Sequence, residues 1–170
     1  MEARKAKDSF TTMNELVLPN DTNTFGDLMG GKLMYWMDIA AYLSAAKHCN
    51  SACMTASVDN LSFKSSIKLG NVICIEAIVS RAFNTSMEIH LKVWNQNMIT
   101  QTRELSNEAF FTFVALDDHK HPKKVPQIIP ESPEEIKLFD GALRRRQLRL
   151  ILAGKMKPED ATELKAFFTE

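Results

Sequence analysis

The sequence lacks an excess of charge of either sign. Lysine and arginine together number 21, and aspartate and glutamate also number 21, so the formal net charge is zero. Without a strong positive field, neither nucleic acid nor an anionic membrane surface is expected as a partner. The 170 residues are enough for one domain with a substantial core and an extension.

Cysteine is also scarce. Only Cys49, Cys53 and Cys74 occur, an odd number without Cys-x-x-Cys spacing. Free thiols in a reducing compartment are the simplest interpretation of this pattern. The charged start, MEARKAKDSF, is not followed by the apolar segment of a signal peptide. We therefore expect a soluble, cytoplasmic protein.

Two common kinds of catalytic motif are missing. There is no Gly-x-Ser-x-Gly element, so a serine hydrolase triad has no support in the sequence. The four histidines lack the spacing of metal ligands, and no metal site is predicted.

The most informative stretch is the apolar run from Leu33 to Ala46, in which Asp38 is the only charged residue. Fourteen residues are too few to cross a bilayer, and a helix that is hydrophobic on all sides is typically buried in protein. The run therefore predicts a buried helix over about Gly31–His48. An ionised carboxylate inside it would cost several kcal/mol or more unless it were paired or hydrogen-bonded.

Strands are predicted on both sides of this helix. They cover Ser9–Leu18, Ala52–Phe63, Asn71–Phe83, Ser86–Asn95 and, after a turn at Asn95–Asn97, a last stretch that ends near Leu116. No helical period appears between residues 52 and 116, so consecutive strands are expected to pair antiparallel. The pattern favours an α+β fold in which an antiparallel sheet curls around the buried helix.

The C-terminal part has a different character. A linker with four prolines covers residues 117–133, and helices are predicted at Glu134–Ala153 and Glu159–Phe168. We expect a main domain over residues 1–125 and a helical extension over 126–170. The arginine cluster from Arg144 to Arg149 is interpreted as a solvated helix face, with phosphate or a neighbouring subunit as alternative contacts.

At this point a family resemblance is evident. The segment PNDTNTFGDLMGGKLMYWMDIAA resembles the opening of hotdog-fold acyl-CoA thioesterases, in the branch of broad-specificity acyl-CoA hydrolases. The residues that fit this pattern are Pro19, Asp21, Asn23, Gly26, Gly30, Gly31, Met37 and Asp38. The resemblance continues through LSFKSSIKLGN, EIHLKVWNQN and FFTFVALD. Ser66 stands where the family often has proline, and Asn71 where it has aspartate; both departures concern a turn.

The resemblance implies a hotdog fold and hydrolysis of acyl-CoA to free coenzyme A and a carboxylate, as in fatty acid metabolism. Coenzyme A would be part of the substrate, and no cofactor would be needed. Hotdog relatives form dimers with a shared sheet, often assembled into hexamers as trimers of dimers, so a homohexamer is expected.

The same resemblance assigns catalytic residues. Asp38 would be the general base or the nucleophile, since an apolar setting disfavours the ionised carboxylate and suits a group that accepts a proton. Asn23 of the partner subunit would orient the water or bind the thioester carbonyl. The structural alternatives are a buried carboxylate that caps backbone amides and an asparagine that holds a turn.

Further residues are assigned to substrate binding. Backbone amides at the start of the helix would stabilise the oxyanion, because helix N-termini carry free N–H groups. The residues concerned are Gly30, Gly31 and Lys32. Thr55 either supports the site or is structural. Thr85 and Ser86 open a strand where relatives contact coenzyme A.

Two other functions stay open. A dehydratase of the same fold would need a catalytic histidine near the buried helix, and His48 lies at its far end. A non-catalytic acyl-CoA sensor would use the C-terminal helices as its regulatory part. The preferred acyl chain length is not encoded in any motif.

Overall fold

The computed structural model describes residues 1–59, 61–63 and 65–169. Its central helix, α1, runs over Gly30–Cys49 and extends the predicted helix by one residue at each end. Asn50 ends it in the left-handed conformation, at φ 49°, and donates its N–H to the Ala46 carbonyl over 2.8 Å. Asparagine adopts this conformation more readily than most residues because its short polar side chain bonds locally.

The described residues also form seven strands. They are β1 (Arg4–Lys5), β2 (Thr11–Leu16), β3 (Cys53–Asp59), β4 (Val72–Ala82), β5 (Ser86–Asn97), β6 (Thr102–Ala115) and β7 (Ile128–Ile129). Five of them form one antiparallel sheet in the order β2-β4-β5-β6-β3, and β1 pairs in parallel with β7. The predicted α+β hotdog fold is confirmed.

The predicted pairing of consecutive strands is right for β4, β5 and β6 but wrong for β3. Instead of pairing with β4, β3 pairs with β6 at the far edge of the sheet. β5 and β6 thus lie between β4 and β3 in the sheet, and Lys68–Asn71 is the turn that precedes β4, with Gly70 at φ 84°. Hydrophobic alternation predicts that a strand has a buried face, but it does not say which strand lies beside it.

The predicted turn at Asn95–Asn97 is also wrong. These residues belong to β5, and the reversal follows over residues 98–101, with Gln101 at φ 56°. Asn95 lies within the sheet because its side chain is hydrogen-bonded there: its Oδ1 accepts from Asn71 Nδ2 over 2.8 Å, and its Nδ2 donates to Glu104 over 3.1 Å. The strand predicted at Ser9–Leu18 corresponds to β2 and is shorter than predicted. Its start is later because a 3-10 helix occupies Ala6–Ser9.

The hydrophobic core lies between α1 and the inner face of the sheet. Alternate residues along each strand point to this face, as the twofold period of a strand requires. The fully buried members include Leu33, Met37 and Ala40 on α1 and Ile75, Val79, Ile89, Leu91, Phe111 and Phe113 on the sheet. A core of this kind supplies most of the stability of a domain, at about 25 cal/mol per Å² of apolar surface buried.

The outer face of the sheet carries the C-terminal helix α2 (Pro133–Leu152), to which the shorter α3 (Thr162–Thr169) is packed. Ser132 caps α2 by accepting from the Glu135 N–H. The residues before α3 form a 3-10 helix at Pro158–Asp160, so the predicted start of the last helix was too early. No helix in the described part of the chain is both long and apolar enough to cross a membrane.

The arginine cluster of α2 is not a solvated face, contrary to the prediction. Arg145 donates to Glu88, which is fully buried, over 2.7 Å, and Arg149 forms a two-pronged contact with Asp59 at 2.5–2.9 Å. Ser80 also donates to Glu88, over 2.7 Å. A carboxylate is tolerated at this depth only because several charged donors surround it. The division of the chain at residue 126 stays a prediction.

Candidate active site

Asp38 lies midway along α1 and beside β3, the strand at one edge of the sheet; this edge is called the open side of the sheet below. The Thr55 hydroxyl donates to its Oδ1 over 2.7 Å. Thr55 belongs to the edge strand β3, next to a bulge between Thr55 and Ser57. Bulges re-aim side chains and are common beside functional sites. The structure therefore joins two of the predicted residues directly.

The chain by itself covers the predicted buried helix only in part. Asp38 is only partly buried, and the helix face around it is exposed, with Tyr35 at 58%. Met34, Tyr42 and Leu43 are exposed as well. The all-round apolar character of the run indicated burial on every side, whereas the chain itself covers only the side that faces the sheet.

The start of α1 provides the predicted donors only in part. The first N–H groups of a helix have no acceptor within it, and those of Gly30 and Gly31 have no recorded partner in the described part of the chain. Lys32 differs, because its N–H donates to the Met29 carbonyl over 3.0 Å. The role of the Lys32 backbone as an oxyanion donor stays a prediction, although this N–H already has an acceptor.

Gly30 and Gly31 also differ in their surroundings. A Cβ on Gly30 would lie 3.1 Å from the ring of Phe63, whereas a Cβ on Gly31 would meet no atom within 4 Å. The close contact with Phe63 explains why glycine suits the first position. Phe63 was not predicted as a site residue, although it lies in the LSFKSSIKLGN segment that carries part of the family resemblance.

The side chain of Lys32 holds the preceding loop to the helix. Its Nζ lies 3.2 Å from Asp21 Oδ1 and above the ring of Trp36. The pKa of Asp21 is lowered, chiefly because the carboxylate accepts the Leu18 N–H, and further by Lys32. Lys32 is thus a positioning residue for the loop that contains Asn23.

Asn23 is fixed by its own turn. Its Oδ1 accepts the N–H groups of Phe25 and Asp27, over 2.9 and 3.2 Å. Because both partners are donors, the oxygen must face them, and the side-chain NH₂ remains as a donor. Asn23 and Gly30 line one cavity of about 380 Å³, together with Leu33 and Phe63.

Asp38 and Thr55 are not among the residues that line this cavity. Asp38 follows Gly30 by eight residues, which corresponds to roughly 12 Å along a helix that rises 1.5 Å per residue. One chain therefore contains two separate groups: Asn23 with the helix start, and Asp38 with Thr55. The structure does not bring the two groups together within the chain.

Thr85 and Ser86 lie apart from both groups. Thr55, Phe113 and Met87 are cross-strand partners and share the inner face of the sheet. Ser86 precedes Met87, so its side chain is on the outer face, where its Oγ is 3.4 Å from Arg146 Nη1. Contact of Thr85 and Ser86 with coenzyme A stays a prediction.

Within the described ranges, no group of three or more histidine, cysteine, aspartate or glutamate side chains is arranged to hold a metal ion. That the protein functions without a metal ion or a cofactor stays a prediction.

Comparison with known proteins identifies the family. A model described as the thioesterase superfamily matches residues 25–101. The uncharacterized acyl-CoA thioester hydrolase YkhA of Bacillus subtilis is 40% identical over 148 residues, which are 87% of this chain and 86% of that protein. The chain belongs to the thioesterase superfamily. The predicted family of acyl-CoA thioester hydrolases is thereby confirmed.

This thioesterase also resembles a much longer mammalian protein. Acyl-coenzyme A thioesterase 11 of mouse is 40% identical over 147 residues, which are 85% of this chain but 24% of the mouse protein.

Solved structures of acyl-CoA thioesterases and hydrolases have the same fold as this chain. A hexameric acyl-CoA thioesterase in its apo form has a TM-score of 0.87 and 40% identity, with 90% of this chain and 98% of the other covered. The acyl-CoA hydrolase of Staphylococcus aureus, in complex with butyryl coenzyme A, coenzyme A and coenzyme A disulfide, has a TM-score of 0.82 and 33% identity, with 90% and 95% covered. Alanine variants of that enzyme at one asparagine, one aspartate and one threonine have also been solved.

Proposed function

We propose that this thioesterase hydrolyses acyl-CoA to free coenzyme A and a carboxylate, with Asp38 as the residue that activates water. The observation that carries the proposal is the 2.7 Å hydrogen bond from Thr55 to Asp38 Oδ1 at the open edge of the sheet. This bond leaves Oδ2 of the carboxylate for a water molecule. A base must lie within hydrogen-bond distance of the proton that it removes, and a partly exposed carboxylate meets this requirement.

The reaction can be written with these groups. The water oxygen attacks the thioester carbonyl carbon while its proton passes to Asp38, and the carbonyl oxygen becomes an oxyanion. The N–H groups of Gly30 and Gly31 and the NH₂ of Asn23 stabilise that oxygen, as preorganised donors do in acyl transfer. When the intermediate collapses, the C–S bond breaks, and the leaving thiolate takes the proton back from Asp38. Asp38 as a direct nucleophile is the alternative within the same site.

The complete site is proposed to form between two copies of the chain. Since roughly 12 Å of helix separates the donors from Asp38, the donors of one copy would act with the Asp38 of the other. Among the described residues, no strand pairs with the outer edge of β3, and its Met54 is 56% exposed. The exposed α1 face with Tyr35 and Leu43 lies on the same side and favours burial. A dimer formed through this side would bury both surfaces, and three such dimers would assemble into a hexamer.

The S. aureus enzyme supports the choice of residues. Its three variants place the asparagine fifteen positions before the aspartate and the threonine seventeen positions after it. Asn23, Asp38 and Thr55 have the same spacing in this chain. A shared spacing across three separate elements is hard to explain by chance.

The two rival functions receive less support. A dehydratase would need a free histidine at the site, but His48 is buried and its Nε2 bonds to the Pro126 carbonyl over 2.8 Å. A sensor would use α2 as a mobile regulatory part, whereas α2 is fixed to the sheet by Glu88 and Asp59.

The test is an assay of thiol release with acyl-CoA substrates of increasing chain length. We expect turnover for at least one chain length. Binding of every acyl-CoA without release of thiol would favour the sensor and overturn the proposal. The assay also identifies the preferred chain length, which the geometry of a single chain does not determine.

The cytoplasm is the proposed compartment. All three cysteines are free thiols, although two of them are close enough to interact. Such thiols persist where the environment is reducing.

A further inference from the structure

Cys49 and Cys53 form a thiol pair that the hydrolytic reaction does not use. Cys49 is the last residue of α1, and Cys53 is the first residue of β3. Their Sγ atoms lie 3.2 Å apart, in hydrogen-bond contact. The turn between them places Asn50 in the left-handed conformation and so reverses the chain within three residues. The fold therefore holds two sulfur atoms together at the junction of its central helix and its edge strand.

The surroundings distinguish the two sulfur atoms. The Ser51 hydroxyl donates to Cys49 Sγ over 3.3 Å. The pKa of Cys49 is lowered to about 6, first by the hydrogen bond from Cys53 and then by Ser51, against the effect of burial. The same contact and burial raise the pKa of Cys53. Cys49 is thus the sulfur that has a second hydrogen-bond donor, the Ser51 hydroxyl, beside it.

Cys49 also borders a cavity on one side. Although it is largely buried, it lines a cavity of about 290 Å³ that opens between the N-terminal residues and the segment around Pro126. The charged residues that line this cavity are Glu2, Arg4 and Lys123. Because two of these residues are cations and one is an anion, the cavity favours the approach of an anionic small molecule.

We propose that Cys49 and Cys53 are a redox-active dithiol that reacts with low-molecular-weight disulfides. Cys49 is the attacking thiolate, and Cys53 is the resolving thiol.

The exchange is balanced in two steps. Cys49 Sγ attacks one sulfur of the disulfide RSSR, the S–S bond of RSSR breaks, and one RS⁻ leaves. Cys53 then loses its proton to the released thiolate or to solvent and attacks Cys49 Sγ, which expels the second RS⁻. The protein loses two electrons and two protons as the Cys49–Cys53 bond forms, and RSSR is reduced to two RSH. In a reducing compartment, disulfides of this kind are transient and serve catalysis or redox sensing.

The test uses glutathione disulfide as the probe and trypsin digestion with mass spectrometry. Both cysteines lie on one tryptic peptide, residues 48–64, whereas Cys74 lies on another, residues 69–81. We expect the wild-type peptide 48–64 to lose two hydrogens and to resist alkylation, with no glutathione retained. Cys53→Ser should retain one glutathione on Cys49, and Cys49→Ser should retain none.

Cys74→Ser is the matched control, because Cys74 is buried on β4 and burial raises the pKa of its thiol. This variant should react like the wild type. The proposal is overturned if the wild-type peptide 48–64 stays fully alkylatable, if the glutathione in Cys53→Ser is found on Cys74, or if Cys49→Ser takes it up on Cys53. Native alkylation of the wild type, which needs no variant to fold, should modify Cys49 before Cys74.

Discussion

Thr55 on the edge strand β3 donates a 2.7 Å hydrogen bond to Asp38 on α1, although seventeen residues separate them in the sequence. The bond connects the two elements that border the open side of the sheet. It also fixes the orientation of the carboxylate, which is what a base or a nucleophile requires.

Asp38→Asn should abolish most of the hydrolysis and leave the fold intact. The substitution is nearly isosteric and removes the basic oxygen, and a single general base contributes about 10²–10⁴-fold to the rate. The measurement is kcat for thiol release, with acyl-CoA binding and the melting temperature followed in parallel. Asp140→Asn, a change at an exposed helical aspartate on α2, is the control and should keep full activity. Near-normal turnover in Asp38→Asn, combined with a large drop in melting temperature, would make Asp38 a structural cap.

Thr55→Val should slow hydrolysis, whereas Thr55→Ser should preserve most of it. Valine keeps the shape but removes the hydroxyl, and a hydrogen bond to a charged group is worth about 1.5–3 kcal/mol, or roughly tenfold to a hundredfold in rate. The two variants should melt within a few degrees of each other, because Thr55 is exposed. Equal rates for the two variants would show that the hydroxyl does not position Asp38.

Mixed subunits should recover activity that each parent variant lacks. Asp38→Ala and Asn23→Ala remove different halves of a site that we propose to be shared between copies, so some mixed dimers contain one intact site. The measurement is thiol release after subunit exchange, with exchange verified by native mass spectrometry. If exchange is complete and no activity returns, the two residues act within one subunit or one of them is dispensable.

Glu88→Gln should destabilise the protein strongly without acting on the chemistry. Glu88 is 0% exposed and accepts from Arg145 and Arg149, so its loss leaves guanidinium groups without their buried partner. Removing one member of a buried pair costs about 3–5 kcal/mol. Urea unfolding measures this change in free energy.

The control is Glu134→Gln, because the Glu134–Lys92 ion pair lies at the surface. A surface pair contributes about 0–1 kcal/mol. Similar losses in the two variants would contradict the structural role that we assign to Glu88.

Oxidation of Cys49 and Cys53 should slow hydrolysis. Their sulfur atoms must approach from 3.2 Å to about 2.05 Å, and Cys53 precedes Thr55 by only two residues on β3. A displacement of about 1 Å at a positioned group costs up to about a hundredfold in rate. The measurement is kcat before and after treatment with glutathione disulfide, and again after reduction, which should restore it. Cys53→Ser without the probe should keep the wild-type rate.

The sequence was sufficient for the local and periodic features. The apolar run with Asp38 predicted α1 to within one residue at each end, because the length and apolar composition of a run are local properties of the sequence. The motif from Pro19 to Asp38 was enough to identify the family and to select Asn23 and Asp38, whereas Thr55 was considered only for its place on the strand after the helix and its role stayed open.

Only the tertiary structure decided the relations between distant elements. Three of these relations join residues that are far apart in the chain: β3 pairs with β6, Thr55 donates to Asp38, and Arg145 donates to Glu88. A fourth, the hydrogen bond from the Lys32 N–H to the Met29 carbonyl, depends on the exact backbone geometry. Alternation and composition describe how much of a segment is apolar, and they cannot say which surface will cover it. For this reason the sequence predicted a buried helix around Asp38, while the folded chain by itself covers only part of that helix and leaves Asp38 partly exposed.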